Sequence, residues 1–296
     1  MSDLFLAGFT RLWRSRVFQI CCLVSFAANV FVMLATYRQV LNYTELGLEQ
    51  SITLDSVFYG LVPVLGVMCA AFVSLFIGTE HSDGVMRNML VVGRARWEIY
   101  LANYAVCFVG TAAFLVCWFL GGLVGIPLIG VWQDVNGLLL GCAVLLLCAA
   151  SFTGIFCLLS MLCTNRAVAA VIAVLLALGY FAILARRNVQ VVALAVALRM
   201  LASGMLFARI QPEFQQGRVM SVAGRELSEP TPNPSYVGGM KREVFQFLSD
   251  TLPSGQSISV CSYELERPVL SLVSSVVIAV LTSAVGVVFF KRKDLR

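Results

Sequence analysis

Long apolar runs alternate along this chain with short polar segments. Crossing about 30 Å of hydrocarbon takes roughly 20 apolar residues in a helix. Six runs reach that length, at about 17–36, 57–78, 101–124, 137–160, 167–185 and 269–290, and none contains Asp, Glu, Lys, Arg or His. A helix satisfies its own backbone polar groups in lipid. The pattern therefore predicts an all-α polytopic membrane protein with six transmembrane helices. The stretch 191–210 is also apolar but carries Arg199. An arginine at mid-membrane costs about 2.5–3.5 kcal/mol on insertion scales. We read this stretch as an external or interfacial helix continuing from the fifth span; a re-entrant segment and a seventh span are the alternatives.

Ahead of the first run, residues 2–16 are amphipathic. Leu4, Phe5, Phe9, Leu12 and Trp13 share one helical face, and Arg11 and Arg14 are expected to point away from it. This suits an interfacial helix in the headgroup plane, anchored by Phe9, Trp13 and Arg14. The first run has no cleavage-type segment, so it is expected to be retained as a span.

Charge sets the orientation. With the N-terminus inside, the cytoplasmic segments 1–16, 79–100, 161–166 and 291–296 hold 11 Lys and Arg against five acids. The external segments 37–56, 125–136 and 186–268 hold 10 against eleven. Short flanks carry the positive-inside signal, and Arg11, Arg14, Arg16 and Lys291-Arg292-Lys293 place both termini in the cytoplasm. Arg186 and Arg187 run locally against that rule. The expected organisation is an interfacial helix at 1–16 and spans one to five over 17–185, with a cytoplasmic loop at 79–100. An extracellular region at 186–268, span six at 269–290 and a tail at 291–296 follow. Within the extracellular region, 211–267 is polar and rich in Pro and Gly, and is expected to form a small fold of its own.

Composition removes whole classes of function. Apolar residues make up 59% of the chain and charged residues 12%, against about 45–50% and about 25% in soluble domains. A soluble enzyme and a nucleic-acid-binding domain are excluded. The ten cysteines (21, 22, 69, 107, 117, 142, 148, 157, 163 and 261) include no C-x-x-C pair. Nine lie in or beside apolar runs and read as small packing residues. The lone His81, near Asp83, reads as a polar surface residue. No metal site is expected.

The lack of ionisable groups in the spans is itself informative. Proton-coupled transporters and most intramembrane enzymes place such groups there. Here the spans offer only residues such as Asn29, Ser74, Asn103, Thr111, Ser151 and Thr153, and no base to activate a nucleophile. Uphill work by these helices needs energy from a partner. The chain has no G-x-x-x-x-G-K-[ST] phosphate loop of its own. Leu252-Pro-Ser-Gly-Gln256 echoes an ATPase signature loop, but on the external side, and reads as accidental. Asn42-Tyr43-Thr44 fits a glycosylation sequon, which would mean nothing if the protein were bacterial. Glycines four apart, Gly121/Gly125 and Gly137/Gly141, suit close helix packing within the chain or between copies equally.

The loop 79–100 mixes Met86, Met89, Leu90 and Trp97 with charges of both signs, as a helical docking face for a cytosolic protein would. Its spacing, Glu80-x-x-x-Gly84-x-x-x-Asn88-x-Leu90 then Gly93-x-x-Arg96-x-x-x-Tyr100, resembles the first cytoplasmic loop of bacterial ATP-binding-cassette (ABC) permeases of the type-2 exporter class. The ending Phe290-Lys-Arg-Lys-Asp294-Leu295-Arg resembles that family's usual C-terminus. Glu229-Pro-Thr-Pro-Asn233-Pro-Ser-Tyr236, Lys241-Arg242 and Leu252-Pro-x-Gly-Gln256 resemble a subset found in Gram-positive bacteria.

The resemblance implies a plasma-membrane permease that pairs with a second copy or paralogue and with separate cytosolic ATPase subunits. Those subunits bind the ATP; no cofactor binds the permease itself, and it has no catalytic site. The loop between spans two and three would couple ATP closure to the helices, which implies coupling roles for Glu80, Gly84, Arg87, Arg94 and Arg96. Gly84 would allow the turn after span two, and Glu80 and the arginines would form ion pairs within the loop or with the ATPase. Cargo is open; an amphipathic peptide, drug or lipid-like molecule suits the apolar spans. The rival reading is a non-transporting scaffold, sensor or immunity protein that binds an external ligand through 211–267.

Overall fold

The computed structural model describes residues 2–45, 54–59, 62–130, 134–162, 214–215, 220–222, 225–227, 231–232, 238–261 and 267–292. Helix α1 (Ser2–Arg14) turns at Ser15 into α2 (Arg16–Glu45), where the Ser15 hydroxyl accepts a bond of 3.5 Å from the Phe18 N–H. The short α3 (Leu54–Phe58) precedes α4 (Val62–Ser82), α5 (Val85–Val91) and α6 (Arg96–Gly122). A single 3₁₀ turn and α7 (Ile126–Ile129) lead to α8 (Val135–Leu162). Later come α9 (Met240–Thr251), α10 (Pro253–Cys261) and α11 (Pro268–Arg292).

Four helical stretches are long and apolar enough to cross a membrane: Arg16–Asn42, Arg96–Ile129, Val135–Leu162 and Pro268–Arg292. They match the expected first, third, fourth and sixth spans. The second appears as α4, whose apolar part, Gly66–Ser82, is shorter. The expected fifth span at 167–185 and the stretch 191–210 lie outside the described residues. Apart from two short antiparallel pairs, the described chain is helical. In those pairs β1 (Phe214–Gln215) joins β4 (Thr231–Pro232), and β2 (Met220–Val222) joins β3 (Arg225–Leu227).

The core is aromatic. Phe18, Phe72 and Phe114 meet with ring centroids 5.1–6.1 Å apart, joining α2, α4 and α6. Small residues let helices close in. A Cβ on Gly8 of α1 would lie 2.7 Å from Val106 of α6, and one on Gly110 as close to Phe72. Gly121, Gly125 and Gly141 likewise face Phe26, Met33 and Tyr59 of this same chain, so at these positions the glycine spacing serves packing within the chain.

The few polar groups in the spans bridge helices. Asn29 donates to the Trp118 carbonyl at 2.7 Å, Ser151 to the Ser275 carbonyl at 2.7 Å, and Thr111 and Thr153 share a bond of 3.0 Å. Each removes an unsatisfied donor from a site without water. Among the described residues the cysteines are free.

The region expected to fold apart as an external domain does not do so throughout. Residues 253–261 form α10, which is buried and packs on α4, α8 and α9. The reason is composition: Pro253-Ser-Gly-Gln-Ser-Ile-Ser-Val-Cys carries no charge, and its small side chains fit between helices. A Cβ on Gly255 would come within 2.8 Å of the Ser249 backbone.

Candidate coupling site and a polar hub

The candidate coupling site starts in the last turns of α4. The Thr79 hydroxyl donates to the Phe76 carbonyl at 2.7 Å, and the helix runs on through Glu80 to Ser82. Glu80 is thus in a last helical turn and not in an open loop. Its side chain is 4% exposed and lies 3.0 Å from Nη1 of Arg11 in α1. The Asn103 side chain of α6 also favours the charged form of this carboxylate. Burial pushes the Glu80 carboxyl up from its ordinary 4.5, and Arg11 and Asn103 oppose that push. A buried acid paired with Arg11 at this point ties α1 to α4.

Arg11 reaches Glu80 because α1 packs differently from the sequence expectation. Leu4, Gly8 and Leu12, one turn apart, form its buried row against α6. Arg11 falls on that same side, at the i+3 and i+7 positions from Gly8 and Leu4. Phe9, Trp13 and Arg14 face outward, with Trp13 66% exposed. The arginine expected to point away is therefore the partner of Glu80, and sequence reasoning missed it. Counting Gly8 as part of the apolar face would have found it.

Beyond Ser82 the chain reverses twice. Gly84 has φ 67° and Gly93 has φ 86°, a left-handed conformation that side chains with a Cβ resist. Nothing lies within 4 Å of either position, so conformation and not space calls for glycine. Between them, α5 buries Met86 and half-buries Met89 and Leu90. Its far side exposes Arg87, Val91 and Val92, with Val91 82% exposed and Trp97 exposed at the start of α6. Arg94 is half-buried. Arg96 donates to the Phe290 and Lys291 carbonyls at 3.4 and 3.3 Å, which closes the end of α11. A cation suits this place, since the last carbonyls of a helix lack intrahelical donors. Of the residues singled out from the sequence, Glu80 meets α1, Arg96 meets α11, and Arg87 faces outward.

A second polar assembly sits around α10. Gln256 is fully buried. Its amide nitrogen donates to the Asp250 carbonyl at 2.9 Å, the Ser271 carbonyl at 3.0 Å and the Ser274 hydroxyl at 2.8 Å, and its oxygen accepts from Ser275 at 2.6 Å. With the Thr251 carbonyl at 3.4 Å, four acceptors for two amide hydrogens make the nitrogen's bonds shared ones. Cys148 of α8 donates to the Pro253 carbonyl at 3.1 Å. The Leu-Pro-Ser-Gly-Gln run therefore serves as a latch holding α10 to α11 and α8.

These features define a helical membrane protein whose long apolar runs carry no charge, with a partly apolar face at the loop between α4 and α6. The family model described as ABC-2 family transporter protein matches residues 4–183, and the chain belongs to that family. It is a membrane permease of the ABC-transporter class. No curated protein matches the chain.

Proposed function

We propose that this chain is the membrane-spanning subunit of an ATP-driven exporter, and that the segment 79–100 receives the stroke of a separate cytosolic ATPase. The observation that carries this reading is the wiring of that segment. Its exposed side offers Val91, Val92 and Trp97 beside Arg87. Its buried side is joined to α1 by Glu80–Arg11 and to α11 by Arg96. A push on α5 is thereby passed to helices that are far apart in sequence.

Two further points support the arrangement. The ends of α1 and α11 meet the same end of the bundle as α5, which fits both termini lying in the cytoplasm and six spans in total. The packing of α10 into the bundle leaves less of 211–267 for a free ligand-binding domain, which weighs against the scaffold or sensor reading. On this reading the chain pairs with a second copy or a paralogue and moves an amphipathic peptide, drug or lipid-like cargo outward.

The test is co-reconstitution with the cognate ABC ATPase in liposomes. The permease is expected to raise ATP hydrolysis, and V91D/V92D or W97D to abolish that rise while leaving the melting temperature unchanged. Stimulation that survives these substitutions would remove the docking assignment.

A further inference from the structure

An open cleft of about 720 Å³ lies between the α1–α2 turn and the end of α4. Its polar lining includes Arg11, Arg14, Arg16, Glu80 and Asp83, and its apolar lining includes Val17 and Phe76. Glu80 is neutralised by Arg11. Arg14 and Arg16 have no hydrogen-bond or ion-pair partner among the described residues. Nη2 of Arg11 is buried and also lacks a hydrogen-bond partner. The first turn of the 30-residue α2 opens here too, and the first N–H groups of a helix lack intrahelical acceptors. Three arginines against two acids leave one net positive charge. On the outer side of α1, Leu6, Phe9 and Trp13 are exposed, as suits a helix at headgroup depth.

We propose that this cleft binds the phosphodiester headgroup of an anionic phospholipid from the adjoining leaflet. Arg14, Arg16 and the first two N–H groups of α2, those of Arg16 and Val17, hold the phosphate, and the acyl chains run along Val17 and Phe76. The sign matches: the unpaired arginines of the cleft face a phosphodiester anion. The mixed lining favours a lipid over a free phosphate, because a soluble anion has no use for the apolar wall. The site rests on the membrane embedding of the chain and not on the exporter reading, so it stands or falls separately from coupling to an ATPase.

The test is native mass spectrometry of the purified full chain exchanged into mixed micelles of phosphatidylglycerol and phosphatidylcholine. The wild type is expected to retain phosphatidylglycerol preferentially. R14Q/R16Q, two exposed positions, is expected to lose that preference about tenfold or more. K291Q/R292Q removes equal charge from exposed positions near the same end of the bundle and is expected to keep it. Equal retention of both lipids by the wild type, or equal loss in the two variants, would overturn the site. A melting-temperature series with soluble glycerophosphoglycerol separates the sources: protection matching that of the intact lipid would assign the cleft to a free phosphodiester and overturn the lipid claim.

Discussion

Glu80 shows how one side chain is used at two levels. Its burial favours the neutral acid, while Arg11 and Asn103 favour the carboxylate, and burial is the larger influence. A group whose value is raised in the folded state stabilises fully below its ordinary value and loses that contribution as pH rises through the raised one. The melting temperature of the wild type is therefore expected to fall relative to E80Q as pH rises from about 4.5; parallel curves for the two proteins would refute this. Removing Arg11 instead leaves the acid buried alone. R11Q is expected to cost ~1–3 kcal/mol, less than a fully buried pair because Arg11 keeps part of its surface in water. Gln256 makes a parallel case. Q256A leaves the buried Ser275 hydroxyl without its side-chain acceptor and is expected to cost ~2–3 kcal/mol, read as a lower melting temperature in detergent.

At the scale of elements, α5 depends on its two glycines. Substituting Gly84 by alanine places a Cβ on a left-handed residue, at about 1–2 kcal/mol. The strain falls on the turn that sets the angle between α4 and α5. G84A is accordingly expected to weaken ATPase stimulation more than it lowers the melting temperature, and G93A to behave alike. Equal stimulation by G84A and wild type in the co-reconstituted system would show that the turn does not transmit force. The helix α10 carries a different lesson. Its residues looked polar and external in the sequence because Ser, Gly and Gln punctuate loops. The same residues are uncharged and small; the Ser257 and Ser259 hydroxyls bond back to carbonyls of α10 itself, and the Gln256 amide finds partners on α11. Periodicity has little to say about a nine-residue segment of this kind.

Across the whole molecule, five of the six apolar runs emerge as helices close to their expected positions, and the sixth lies outside the described residues. The orientation is open to a direct check. Single cysteines introduced into a cysteine-free background at positions 3 and 292 are expected to react with an impermeant maleimide only after the membrane is opened, and one at 240 to react in intact cells. Early labelling at 292 would reverse the topology. What the sequence by itself determined is which stretches are apolar enough to enter lipid, because the cost of placing each residue there is a local property summed over about 20 positions. It also showed that the spans carry no charge of their own. Only the tertiary structure decided which polar groups find one another: Glu80 with Arg11, Arg96 with the end of α11, Gln256 with Ser271, Ser274 and Ser275. Those pairings join positions far apart in the chain, and they follow from how closely helices approach across residues such as Gly8 and Gly110, which a hydropathy pattern does not record.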